Sequence, residues 1–128
     1  MIWLLLYIIP CVLLAKRDAN KIKNGKKIKH FWNGIIHFAI SIIAAFLLKD
    51  WKAVPAIWLL AKLSFDVSLN HFRGLSLDYI SPEVIAYKSL GEAYKKGKIT
   101  DYIEWRLFRS SALPKIIYAF IIVILIVI

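Results

Sequence analysis

The chain is expected to be an all-α integral membrane protein, with four short transmembrane helices and a cytoplasmic pair of amphipathic helices. Two properties point there. Hydrophobic residues make up 60% of the 128, above the roughly 45–50% of a soluble domain. The chain nevertheless carries 18 Lys+Arg against 8 Asp+Glu, for a net charge of +10. A positive mean hydropathy of +0.64 argues against disorder, which accompanies low hydrophobicity. Apolar segments separated by basic ones, in a chain short enough for one domain, describe a multi-pass protein whose charged loops face one side.

The first span is placed at about 1–15. No cationic residue precedes the apolar run, and the charges follow it instead, so it reads as a retained membrane helix rather than a secretory leader. It is short for a bilayer that requires about 20 residues. A basic loop, 16–30, comes next. It contains Lys16, Arg17, Lys21, Lys23, Lys26, Lys27 and Lys29 against one acid, Asp18. Aromatic residues do not alternate with these cations, so a stacking platform for nucleic acid is not expected. Anionic lipid headgroups suit them. The second span is placed at about 31–48 and the third at about 54–72, with Pro55 in a first helical turn, where its missing N–H costs nothing. The last span is placed at about 113–128, reaching back through Pro114 with a kink there.

Between the last two spans lies an amphipathic cytoplasmic segment, 73–112. Ser81-Pro82-Glu83 is a helix start, and Gly97 is a stop. One face of that helix would carry Ala86, Tyr87, Leu90, Ala93 and Tyr94. A second helix begins near Thr100-Asp101. Its Ile103, Trp105, Leu107, Phe108 and Ala112 oppose Arg106 and Arg109, the pattern of a helix lying in the membrane interface or packed under helix ends. The interface set is therefore Lys16, Arg17, Lys21, Lys26, Lys27, Trp105, Arg106 and Arg109.

The three connecting segments carry seven, two (Lys49, Lys52) and eight cations, the last being Arg73, Lys88, Lys95, Lys96, Lys98, Arg106, Arg109 and Lys115. Four spans put both heavy segments in the cytoplasm and both termini outside. The expected setting is a bacterial inner membrane or a viral membrane. The expected partners are a bilayer with anionic headgroups and other membrane subunits or further copies of the chain, with no specific nucleic acid.

Polar residues within the spans form the candidate site. His30, His37 and Ser41 share one stripe of the second span, with Gly34, Ala44 and Ala45 nearby, as suits a face that another helix approaches closely. Lys62, Asp66, Asn70 and Arg73 share an arc of the third. A mid-span charge costs about 2.5–3.5 kcal/mol on insertion scales, so Lys62 and Asp66 are expected to pair, with the His stripe as their polar neighbour. Three readings follow. The seven residues form a buried structural seam; or His37, Asp66 and Asn70, with His30 and either His71 or Asp78, serve a metal-dependent intramembrane hydrolase; or the seam lines an ion path in a holin-like oligomer. Histidines seven apart sit about 10 Å apart along a helix, too far to share one zinc at about 2 Å. Neither a metal nor a cofactor is therefore expected. No nucleotide-binding or serine-nucleophile motif is present. A lone Cys11 provides neither an intrachain disulfide nor zinc spacing.

The run Ser64-Phe65-Asp66-Val67-Ser68-Leu69-Asn70-His71-Phe72-Arg73-Gly74, followed by Tyr79, resembles small integral membrane proteins of tailed phages and prophages of the Bacteroidetes. Their pattern reads F-D, three residues, N, two residues, R-G, then Tyr, with an upstream histidine where His37 stands. The likeness covers residues 30–80. It implies a viral or bacterial membrane setting and no particular activity. Ile80-Ser81-Pro82-Glu83 follows here in place of that group's Gly-rich turn and Asp.

Overall fold

A 3-10 turn, Ile2–Tyr7, leads directly into α1, Ile8–Lys23. The computed structural model describes residues 2–26, 28, 30–110 and 112–128, and for Ile2, His30, Phe31 and Trp32 only the backbone. The expected loop from residue 16 is therefore half helix. Ala15, Asp18 and Ala19 are buried along it, so packing holds the basic block helical, and Lys21 and Lys23 in the last turn complement the helix dipole. The helix stops where Gly25 turns left-handed, at φ 71°, and the Lys26 N–H reaches back to the Lys21 carbonyl at 2.9 Å.

Helices α2 (His30–Leu48) and α3 (Ala53–Phe72) match the expected second and third spans to within a residue. Helix α7, Ala112–Val127, matches the last. Pro114 does not kink a longer helix. It lies buried in the first turn of α7, and Ser110 Oγ accepts the N–H groups of Ala112 and Leu113, which caps the new helix.

The amphipathic segment differs most. In place of one helix from Ser81 to Gly97 there are two short ones, α4 (Pro82–Ala86) and α5 (Leu90–Lys95), followed by α6 (Ile99–Phe108). Tyr87 is extended. Ser89 then starts afresh by accepting the Glu92 N–H, while the Glu92 carboxylate accepts the Lys88 N–H, a reciprocal cap. The break changes the buried face. Val84, Tyr87, Ala93 and Tyr102 form a small core of their own, with Ile80 and Trp105 against it. Ala86, Leu90 and Tyr94, expected on one face with Tyr87 and Ala93, are exposed.

Helix α3 is the centre of the molecule: α1, α2, α7 and the N-terminal turn all pack on it. At one end of the bundle Leu4, Ala45, Ala53, Ala56 and Ile57 form a core, joined by Leu125. These residues come from the start of the chain, the end of α2, the start of α3 and the end of α7, so successive long helices alternate in direction. Along α1 a stripe of Cys11, Ala15 and Ala19 is at most 1% exposed. Outward-facing residues such as Leu13, Phe46, Leu47, Phe120 and Val123 are exposed. Among the described residues no single helix is long and apolar enough to cross a membrane. Only α6 and α7 taken together are, and they are bent by 99°.

Candidate functional site

A cavity of about 320 Å³ lies on one flank of α3, walled by α2 and α6. It collects His37 from α2, Lys62, Asp66, Asn70 and Arg73 from α3, and Asp101, Glu104 and Trp105 from α6.

Lys62 organises it. Its ammonium lies 3.0 Å from Asp66, 3.3 Å from Glu104 and 3.9 Å from Asp101. The pair with Asp66, one helical turn away, is as expected from the sequence. The other partners are not: they come from α6 rather than from the histidine stripe. Glu104 also accepts the Tyr118 hydroxyl at 2.6 Å, so one network joins α3, α6 and α7. Three carboxylates from two helices therefore converge on one ammonium. Among the described residues no set of three or more His, Cys, Asp or Glu side chains is placed to hold a metal.

The remaining seam residues divide. His37 lines the cavity, but its Nδ1 is hydrogen-bonded to the Tyr7 hydroxyl at 2.5 Å. With that hydroxyl donating, the ring keeps its own proton on Nε2. Ser41 is fully buried elsewhere and donates to the Phe38 carbonyl of its own helix. The His30 side chain lies outside the described residues. His71 is exposed and belongs to no cluster with His37. Arg73 lies over the Tyr79 ring at 6.0 Å. Asp78 is exposed, and the Ser76 hydroxyl bonded to it holds its carboxyl below the ordinary range.

Asn70 has a structural task. Its amide donates to the carbonyls of Leu77 and Tyr79, each at 3.3 Å, and so fixes the loop after α3. Asn70→Ala is expected to cost about 1–2 kcal/mol, the worth of two neutral hydrogen bonds. Asn70→Asp should cost at least as much, because a carboxylate cannot donate. Denaturant midpoints in micelles check this; unshifted midpoints for both would show that the loop is held by something else.

A second buried charge was overlooked. Asp18 reads as the lone acid of a basic loop, yet its side chain is 0% exposed, 3.1 Å from the Arg17 guanidinium, and accepts from Asn33 of α2 at 3.4 Å. Asp101, Glu104 and Tyr118 were overlooked too. The available signal was the central Lys62, whose burial calls for more than one carboxylate.

Of the interface set, Lys16, Arg17, Lys26, Arg106 and Arg109 are exposed and Lys21 is partly so, while Lys27 lies outside the described residues. Trp105 packs on the small core and lines the cavity, which favours the packed alternative for that residue. The chain matches no protein-family model, no curated protein and no solved structure.

Proposed function

We propose that the chain is a small four-span membrane protein with a structural or assembly role, one subunit of a larger membrane complex or virion membrane. The observation that carries this reading is the apolar coat of the bundle. Leu6 on the N-terminal turn, Ile9 and Leu13 on α1, Ile36, Ile43 and Phe46 on α2, and Ile116, Phe120 and Val123 on α7 are each exposed. A coat on several helices at once exceeds what a water-surrounded monomer leaves uncovered. Lipid covers it at little cost, and short helices tilt or gain neighbours to match the bilayer.

The charges support the same orientation. The end of α1, the loop after α3 and the α4–α6 unit lie toward one end of the bundle, and among the described residues they bring Lys21, Lys23 and Lys26 together with Arg73, Lys95, Lys96 and Lys98. The opposite end has Lys49 and Lys52, the latter paired with Asp50. That distribution supports a positive-inside orientation with both termini outside. A viral or bacterial membrane, the setting implied by the sequence resemblance, fits it. Hydrolysis at His37 and Asp66 has less support, since His37 is bonded to Tyr7 and Asp66 to Lys62.

Single cysteines test the topology in a Cys11→Ala background. Lys26→Cys and Lys95→Cys should react with an impermeant maleimide only after permeabilisation of the cells, and Lys49→Cys before it. Equal reactivity of Lys26→Cys and Lys49→Cys from one side would overturn the four-span reading. Recovery of the protein in the soluble fraction without detergent would overturn the membrane assignment itself.

A further inference from the structure

We propose that residues 80–108 form a hinged cap over the α3 cavity, held shut by Lys62. The segment is a unit in its own right. Val84, Tyr87, Ala93 and Tyr102 pack together at 0–8% exposure, with Ile80 and Trp105 closing the cluster. Little of that core involves the bundle. Helix α6 faces α3 across the cavity, and the reach of the Lys62 side chain to Asp101 and Glu104 bridges the gap.

The two ends of the unit are built as pivots. At the first, Asn70 pins Leu77 and Tyr79 to α3, so the fixed part stops immediately before Ile80. At the second, Arg109 is left-handed, at φ 52°, a conformation that costs a non-glycine residue about 1–2 kcal/mol. Rotation there relieves strain instead of creating it. The chain then turns through 99° into α7. One further tie, from Tyr118 to Glu104, ends on the same carboxylate that Lys62 holds.

The charge pattern suits a latch better than a permanent joint. Buried ion pairs contribute little net stability but are costly to break on one side. Lys62 keeps Asp66 as a partner on its own helix when α6 moves away, so opening leaves its ammonium paired. Apolar packing between α3 and α6 would not permit that exchange.

Spin labels on the full chain test the cap, with Cys11→Ala as background. One pair, Tyr94→Cys with Leu13→Cys, reports cap against bundle; a second, Leu13→Cys with Phe46→Cys, reports the bundle alone. All three positions are exposed. With Lys62 intact, the cap pair should give one narrow distance. Asp101→Asn with Glu104→Gln should add a second, longer population to the cap pair and leave the bundle pair unchanged. Lys62→Arg should keep the single narrow distance. An unchanged cap pair in the double variant would overturn the latch. So would equal broadening of both pairs, because Lys62 would then hold the whole fold and not a cap.

Discussion

Lys62→Leu is expected to cost about 2–3 kcal/mol, below the roughly 3–5 kcal/mol for breaking a fully buried ion pair, because Asp66 and Asp101 keep 34% and 41% of their side-chain surface exposed. The loss leaves Asp66 and Glu104, with Asp101 behind them, facing one another without a cation. Like charges left this close repel one another. Removing a carboxylate instead should be milder. Asp66→Ala leaves Glu104 at 3.3 Å and Asp101 at 3.9 Å to hold the ammonium, so the pair deletion that looks most damaging from the sequence is buffered. The triple change Lys62→Leu, Asp66→Leu, Glu104→Gln should recover most of the lost stability, since it removes the lysine and its two nearer carboxylates together and leaves an amide oxygen to accept from Tyr118. Denaturation in micelles, followed by far-ultraviolet circular dichroism, gives all three values. The ordering, single lysine worst, is the decisive result; an Asp66→Ala cost equal to that of Lys62→Leu would mean that α6 contributes nothing to holding the charge.

Ala15→Leu should rank next, at about 1–3 kcal/mol for overpacking. Ala15 is 0% exposed, one helical turn from Cys11 at 0% and Ala19 at 1%. This stripe lets the backbones of α1 and α3 approach. A leucine there pushes the helices apart and strains the nearby Asp18–Asn33 contact. Leu13→Ala on the outward face of the same helix is the control, and its denaturant midpoint should move little. If both changes shift the midpoint equally, the stripe is not the contact face of α1.

Much of the helical frame was legible. The apolar runs 31–48 and 54–72 are long, and their limits are set by residues with plain conformational meaning: Lys49-Asp50 after one, Pro55 near the start of the next, Gly74 after it. Lys62 and Asp66 announce themselves as a pair because four residues is one turn. What periodicity did not reveal was where faces point once helices break. Ala86, Tyr87, Leu90, Ala93 and Tyr94 share a face only if the helix is continuous; the Ser89–Glu92 cap ends that continuity, so Tyr87 and Ala93 are buried with Val84 while the other three are exposed. Asp18 was hidden for a related reason. Among seven cations an acid looks like a surface residue, and only the fold, which buries it beside Asn33 of α2, shows that it is inside. Asp101 and Glu104 belong to a helix that reads as a free amphipathic surface, and a helix periodicity carries no information about which distant lysine faces it.

The central place of α3 also governs the order of assembly. Helices α1 and α2 leave the ribosome first, and both pack on a helix made after them. A nascent chain stopped before Ala53 holds two hydrophobic segments tied at their side-chain tips, by Tyr7 to His37 and by Asp18 to Asn33, without the surface they are shaped to meet. Asp18 is then a charge waiting for enclosure. Folding of the first half is thus deferred until residue 72 has been made, and α7, which also packs on α3, arrives at a surface whose other sides are already taken. Synthesis in two pieces divided between α2 and α3 would leave the first piece dependent on the second, while the second carries the hub and most of the charged network within itself.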